Sequence, residues 1–152
     1  MSALLQVENL SVSFRQEGRL TPAVRNISFS LNRGETVALV GESGSGKSVS
    51  ALSTVSLLGD SAVVSGSVTY DGQQMIGADQ GLLRQVRGND ISFIFQEPMT
   101  SLNPLHTIER QLSESLTLHQ GLVGAKARAL ILELLTKVGI REPETRLGAY
   151  PH

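Results

Sequence analysis

The sequence predicts an α/β fold, and three kinds of pattern support this prediction. Apolar and polar side chains alternate over Leu10–Phe14 and Ile27–Leu31, which is typical of half-buried strands in an antiparallel layer. Two apolar runs without alternation, Thr36–Val40 and Ile91–Phe95, predict strands that are covered on both faces. Towards the end of the chain, apolar residues recur at helical spacing. The predicted order is a β-rich start, an α/β core and a helical end.

A glycine-rich loop separates the first of these core strands from a helix. The run Thr36–Val40 leads directly into the loop. Apolar residues at helical spacing then predict a helix over Ser48–Leu58, with Gly59 as its stop. A strand at Val68–Tyr70 and a short helix at Leu82–Arg87 are predicted next.

Two longer helices are predicted in the last third of the chain. Apolar residues step by four from Ile108 to Leu116, and Thr107 is placed to cap the start of this helix. The same spacing continues over Ala125–Val138, where Gly139 is the predicted stop. We interpret both apolar stripes as the faces along which these helices pack in the core, and we assign them no binding function.

The composition excludes several classes of protein. The 152 residues include 13 Lys and Arg against 14 Asp and Glu, whereas a nucleic-acid-binding protein normally has a basic excess. Cysteine is absent, which excludes disulfide scaffolds and thiolate metal sites. No apolar run approaches the roughly 20 residues of a membrane-spanning helix, and the first residues show no signal-peptide pattern. We therefore expect a globular, intracellular chain that binds no nucleic acid.

The glycine-rich loop matches a phosphate-binding motif. Residues 41–48 fit G-x-x-x-x-G-K-[ST] at every fixed position. Glycines let successive backbone N–H groups point into one cavity, and the following helix offers unpaired N–H groups to an anion. In this motif the Lys47 ammonium reaches the terminal phosphates of a nucleotide, and the Ser48 hydroxyl binds Mg²⁺. The predicted phosphate-binding residues are Gly41, Glu42, Ser43, Gly44, Ser45, Gly46, Lys47 and Ser48.

Other interpretations of this loop fit less well. The dinucleotide motif G-x-G-x-x-G is not completed after Gly46, and no serine stands between two glycines at the spacing of a nucleophile elbow. The remaining alternative is a glycine-rich turn that binds nothing.

Two further segments resemble a known family. They are Phe93–Pro104, which places Gln96 directly after a predicted strand, and Arg146–His152. Together with the loop, they resemble the nucleotide-binding subunits of ABC transporters, in particular the ATPases of bacterial peptide, glutathione and nickel importers. This resemblance spans the chain and implies an incomplete P-loop NTPase domain of the ABC type. Residues 1–98 would hold the antiparallel β subdomain and the P-loop core strands, and residues 99–152 the start of the α-helical subdomain.

The resemblance implies roles for individual residues. Phe14 corresponds to the aromatic residue that stacks on adenine, and Val24 to a residue at the same adenine edge. Gln96 corresponds to the glutamine that reaches Mg²⁺ and the attacking water. The implied catalytic residues are thus Gln96 and Lys47, and the implied metal ligands are Ser48 and Gln96. Two alternatives stay open: an ordinary strand aromatic for Phe14 and a solvated loop residue for Gln96.

The resemblance also implies cofactors, partners and a location. The cofactors would be ATP and Mg²⁺. Membrane permease subunits would bind the region after Gln96, and a second ATP-binding subunit would complete the assembly. Such a subunit lies at the cytoplasmic face of the bacterial inner membrane. It couples ATP hydrolysis to the uptake of peptides or similar solutes.

Two motifs of that family are not found in the sequence. The signature Leu-Ser-Gly-Gly-Gln is absent, because no two glycines are adjacent, and no strand-like run ends in an Asp-Glu pair. Since Tyr150–His152 resembles the residues directly before the signature, we expect the N-terminal part of a longer subunit, inactive by itself. The alternatives are a non-hydrolysing or vestigial nucleotide-binding fragment and a P-loop kinase, although no acceptor-site or lid pattern is visible.

Overall fold

The computed structural model describes residues 2–152, which form two compact units. The first unit extends to Arg87, and the second runs from Gly88 to His152. Strands and two short helices make up the first unit, and helices make up the second. Within the described residues, no helix combines the length and apolar character needed to cross a membrane.

The first unit is built on an antiparallel sheet. Its strands are β1 (Leu5–Gln16), β2 (Arg19–Leu31), β3 (Ala62–Tyr70) and β4 (Gln73–Gln74), in the spatial order β2-β1-β3-β4. The strands predicted over 10–14, 27–31 and 68–70 are confirmed as parts of β1, β2 and β3. The buried apolar residues of these strands are Val7, Leu10, Val12, Val24 and Val68.

Three register shifts interrupt the pairing of β1 with β2, and two of them contain a residue with positive φ. Asn9 of β1 has a φ of 50° and donates its N–H to the Ser28 hydroxyl at 2.9 Å. Asn26 of β2 has a φ of 48° and donates its N–H to the Ser11 hydroxyl at 2.9 Å. Each hydroxyl accepts an N–H group at the point where the bulge breaks the ladder. The bulge in β2 also resets the side-chain alternation, which matters for the site described below.

Helix α1 (Lys47–Ser53) is shorter than the sequence predicts. The predicted stop at Gly59 is wrong, because the chain already turns at Ser56. Ser56 has a φ of 53°, and the Leu57 N–H returns to the Leu52 carbonyl at 3.0 Å. This is the bond pattern that usually requires glycine at a helix end. Here a serine adopts the left-handed conformation instead.

Helix α2 (Gln80–Val86) confirms the short helix predicted at 82–87 within two residues. Its N-cap is Asp79, whose carboxylate accepts the Leu82 N–H at 2.8 Å. Leu83 and Val86 are buried, so the helix is fixed against the first unit along one face.

The structure differs most from the sequence prediction at the two predicted core strands. Neither Thr36–Val40 nor Ile91–Phe95 forms a strand of the sheet, and only Ile91 takes part in an isolated bridge. Val40 is 89% exposed and Ile94 is 99% exposed. Apolar and β-branched residues favour a central strand only when strands on both sides pair with its backbone. In the described chain these two segments have no such neighbours, so their composition does not yield a buried strand.

The second unit is helical. A 3-10 turn at Pro98–Ser101 is followed by α3 (Ile108–Gln120), α4 (Gly124–Lys137) and α5 (Pro143–Arg146). The predicted helices at 108–116 and 125–138 are confirmed, and the Thr107 hydroxyl caps α3 by accepting the Arg110 N–H at 3.3 Å. The buried core of this unit consists of Leu116, Ala127, Ile131 and Leu147.

The start of α3 holds the last segment of the chain. The N–H groups of Ile108 and Glu109 donate to the carbonyls of Ala149 and Leu147, at 2.9 and 3.0 Å. These first-turn donors have no partner within the helix. The carbonyls of residues 147 and 149 therefore complete the N-terminus of α3 and tie residues 146–152 to the helical unit.

Candidate functional site

The loop between Val40 and α1 is shaped by its glycines. The Ser45 N–H donates to the Glu42 carbonyl at 3.1 Å, which closes a turn. Gly44 has a φ of 77°, and Gly46, the N-cap of α1, has a φ of 92°. Side chains rarely tolerate these left-handed conformations. The glycine pattern of the sequence thus corresponds to backbone geometry that the loop needs.

Gly46 also allows the loop to approach β2 closely. A Cβ at Gly46 would lie 2.6 Å from the Ala23 carbonyl oxygen and 3.1 Å from the Val24 Cγ2. The contact with backbone leaves no room for a methyl group. The absence of a side chain at residue 46 therefore fixes the distance between the loop and β2.

Lys47 folds back over the loop. Its Nζ donates to the Gly41 carbonyl at 2.7 Å, to the Glu42 carbonyl at 2.5 Å and to the Ser45 hydroxyl at 3.2 Å. An ammonium group has three N–H donors, and each has an acceptor here. The positive charge is consequently held at a defined position above the glycine backbone.

The first turn of α1 presents two serines with different environments. Ser48 is exposed, as a metal-binding or phosphate-binding hydroxyl must be. Ser50 is buried, and its hydroxyl donates to the Gly46 carbonyl at 2.7 Å. The N–H groups of the first turn point out of the helix end, together with the positive end of its dipole. An anion is favoured at this end of the helix.

A cavity of about 460 Å³ opens between β2 and the loop. This volume is within the usual range for small-molecule sites. Val24 and Ile27 both line it, although residues three apart in a regular strand face opposite sides. The bulge at Asn26 brings them to the same side. The full lining is Ala23, Val24, Arg25, Ile27, Leu39, Val40, Gly41, Ser45, Gly46, Lys47 and Ser50.

The structure brings together only part of the predicted site. Residues 41–48 form one loop, and Val24 lies beside it in the cavity wall. Phe14 is half-buried in β1, paired with Thr21 and Ala62, and does not line this cavity. Gln96 is exposed and belongs to the second unit, just before the 3-10 turn. The described residues contain no cluster of acidic, His or Cys side chains suited to a metal ion.

Two polar residues of the cavity lining, Arg25 and Ser50, were not predicted from the sequence as site residues. Arg25 adds a basic residue to the cavity lining, and its place there depends on the bulge in β2, which the alternation of apolar and polar residues cannot reveal. Ser50 stands four residues after Gly46 in a helix, so its hydroxyl reaches the carbonyl one turn back. The spacing of Ser50 was available in the sequence as a signal, whereas the position of Arg25 was not.

Comparison with known proteins identifies the family. The family model for ABC transporters matches residues 24–152 of this chain. The chain belongs to the ABC transporter family. The family resemblance of the glycine-rich loop and of the two later segments is thus confirmed. The predicted fold class, an incomplete α/β P-loop domain of the ABC type, is confirmed as well.

Curated relatives within the ABC family match nearly the whole chain. A peptidoglycan transport ATP-binding protein of Agrobacterium fabrum is 60% identical over 151 residues, covering 98% of this chain and 28% of that protein. An oligopeptide transport ATP-binding protein of Mycobacterium tuberculosis is 45% identical, covering 100% of this chain and 25% of that protein. The chain thus spans about a quarter of the length of these relatives.

A solved structure of the same family has a similar fold. The dimeric structure of a bacterial ABC transporter cassette aligns with a TM-score of 0.81 at 24% identity, covering 97% of this chain and 61% of the cassette. At this identity, the likeness establishes the fold.

Proposed function

We propose that the loop at residues 41–48 binds the phosphates of ATP. The observation that carries this proposal is the position of the Lys47 ammonium, held by two loop carbonyls and the Ser45 hydroxyl at the start of α1. Phosphate oxygens would replace these neutral acceptors, because a charge-assisted hydrogen bond to an anion is stronger. The N–H groups of the glycine loop and of the first turn supply further donors.

The other site residues follow from the same proposal. The exposed Ser48 hydroxyl is the ligand we assign to Mg²⁺, and Gln96 would add its amide oxygen. Bound Mg²⁺ neutralises charge on the phosphates. Phe14 is assigned to stacking on adenine, with Val24 lining the cavity beside the loop. In this assignment Lys47 and Gln96 are the catalytic residues of the chain.

We further propose that the chain is part of an importer subunit. The names of its relatives refer to peptidoglycan, oligopeptide and glutathione transport, and these solutes share peptide-type bonds. ATP hydrolysis would drive the uptake of such solutes at the cytoplasmic face of the inner membrane. A second ATP-binding subunit would complete the assembly, as in the dimeric cassette.

The segment after Gln96 supports an interaction with membrane permease subunits. Met99 is 57% exposed and Leu105 is 80% exposed, on either side of the partly exposed Leu102. Apolar side chains presented together on a short segment are typical of a protein-binding surface. We therefore assign residues 97–106 to permease contact.

A second candidate function is nucleotide binding without hydrolysis. It requires only the features already described, namely the phosphate-binding motif at residues 41–48 and the Lys47 ammonium held above the loop. A chain of this kind would bind ATP and leave it intact. Binding and turnover measurements separate the two candidates.

Calorimetry with Mg-ATP tests the proposed nucleotide site. We expect Lys47→Ala to weaken binding by at least about tenfold, because charge-assisted hydrogen bonds of about 1.5–3 kcal/mol are lost. Lys126→Ala is the matched control, since Lys126 is exposed on α4 in the other unit and should leave affinity unchanged. Equal affinity of Lys47→Ala and wild type would contradict the proposal.

A further inference from the structure

Arg87 holds the chain directly after α1. Its Nε donates to the Val55 carbonyl at 2.9 Å, and its Nη2 donates to the Ser56 carbonyl at 2.7 Å. These two carbonyls lie in the turn that follows Ser53, the last residue of α1. A guanidinium is planar and its donors have a fixed spacing, so two bonds set orientation as well as distance. Arg87 is thus a rigid clasp on the C-terminal end of the P-loop helix.

The length of α1 makes this clasp important for the loop. The helix has 7 residues, and an isolated helix of this length is not stable in water. Its position depends on what holds its two ends. At the C-terminal side, Val55 is fully buried and the Ser56 hydroxyl donates to the Met75 carbonyl at 3.0 Å. Lys47 and Ser48 are the first two residues of α1. Because the helix is short, a shift of its C-terminal end would also move these two residues.

The backbone of Arg87 is itself fixed. Its N–H donates to the Leu83 carbonyl at 2.9 Å, and Leu83 and Val86 are buried. Asp79 caps the other end of α2. The side chain of Arg87 therefore connects two helices, α2 and α1, and its charge lies at the negative end of the α1 dipole.

We propose that Arg87 is a positioning residue of the nucleotide site, which acts through α1 on the geometry of Lys47 and Ser48. This inference rests on the proposed function, since it concerns the same loop. Without the clasp, α1 and its loop would spend only part of the time in the binding-competent position. The apparent dissociation constant rises by the inverse of that fraction.

The test compares three variants of the full chain by calorimetry with Mg-ATP. Arg87→Met removes the charge and both hydrogen bonds while keeping an unbranched side chain. Arg84→Met is the matched control, because Arg84 is exposed on the same helix. Arg87→Lys restores the charge without the two-point geometry. All are measured well below their thermal unfolding midpoints, so that only folded protein is titrated.

We expect Arg87→Met to weaken binding about tenfold, the effect of a competent fraction near one tenth. Arg84→Met should equal wild type, and Arg87→Lys should fall between. A purely structural role for Arg87 would lower the unfolding midpoint and leave the dissociation constant unchanged. That result would overturn the inference while the proposed function stands. If Arg87→Met does not fold, Arg87→Lys decides: affinity equal to wild type overturns the inference, and weaker affinity supports it.

Amide hydrogen exchange of residues 41–53 gives a readout that does not require ATP. It separates the inference from the proposed function, because a wild-type chain without ATP binding refutes only the latter. Faster exchange of this segment in Arg87→Met than in Arg84→Met, with the rest of the first unit unchanged, supports the clasp. Equal exchange in the two variants refutes it.

Discussion

The geometry of Gly46 shows how one residue sets the distance between loop and sheet. Its φ of 92° belongs to a region that residues with side chains rarely adopt. A Cβ at this position would lie 2.6 Å from the Ala23 carbonyl oxygen. Gly44 has a similar φ of 77°, yet a Cβ there would meet no atom within 4 Å. A side chain would therefore be conformationally strained at both positions, but it would meet a steric clash only at Gly46.

This difference predicts different costs for alanine at the two positions. Gly44→Ala should cost about 1–2 kcal/mol of unfolding free energy, from the left-handed conformation alone. Gly46→Ala should cost about 1–3 kcal/mol more, because the methyl group would displace the loop from β2. Chemical denaturation measures both values, and Mg-ATP affinity should fall further for Gly46→Ala. Equal costs would mean that the loop yields without loss.

At the residue scale, the phosphate-binding motif predicted those features of the loop that depend only on residues close together in the sequence. The positions of Gly44, Gly46 and Lys47 follow from a pattern within eight residues. The inclusion of Arg25 in the cavity lining follows from a bulge in the pairing of β2 with β1, and the partner residue Ser11 lies 15 positions before Asn26. No local pattern contains that information. The assigned roles of Phe14 and Gln96 rest on family resemblance and stay predictions.

Elements differed in how far the sequence could predict them, and the reason is the range of their contacts. Helices α3 and α4 are stabilised by turns and by apolar stripes three to four residues apart, so both were predicted. The runs Thr36–Val40 and Ile91–Phe95 carry strong strand composition, but a central strand depends on partners elsewhere in the chain. The end of α1 was missed because Ser56 adopts a conformation usually left to glycine.

The core of the helical unit predicts a large effect of a single truncation. Ile131 is fully buried on α4 and belongs to the cluster with Leu116 and Leu147. Ile131→Ala should cost about 2–5 kcal/mol through lost contacts and the cavity left behind. Leu134→Ala on the same helix is the matched control, since Leu134 is 41% exposed, and its cost should be clearly smaller.

Amide exchange of residues 108–137 measures this effect within the helical unit. The Ile131→Ala variant should lose protection throughout α3 and α4, because the two helices share one core. Similar losses in Ile131→Ala and Leu134→Ala would show that the cluster does not dominate the stability of this unit.

At the scale of the whole molecule, the groups that we assign to nucleotide binding are present, whereas two motifs that the family resemblance links to hydrolysis are not found in the 152 residues. The loop geometry, the Lys47 ammonium and the first turn of α1 are all present and mutually supported. By resemblance to the ABC family, hydrolysis would also need an acidic pair that holds Mg²⁺ and a signature segment that closes the site of a second subunit. The 152 residues contain neither motif. Phosphoryl transfer depends on positioning and on stabilising charge in the transition state. Binding without these groups does not accelerate the reaction.

We therefore predict that residues 1–152 alone hydrolyse ATP at the background rate. In the proposed function, Lys47 and Ser48 bind the ground state, and only Gln96 is assigned to the attacking water. Interactions that are equally strong in the ground state and in the transition state leave the rate constant unchanged. A phosphate-release assay on the purified chain measures the turnover, with Lys47→Ala prepared in parallel to report contaminating ATPases. Turnover well above the Lys47→Ala level would mean that a catalytic group of this chain has gone unrecognised. The carboxylates of Glu42 and Glu97 would then be the first to replace, because they stand beside the loop and beside Gln96 in the sequence.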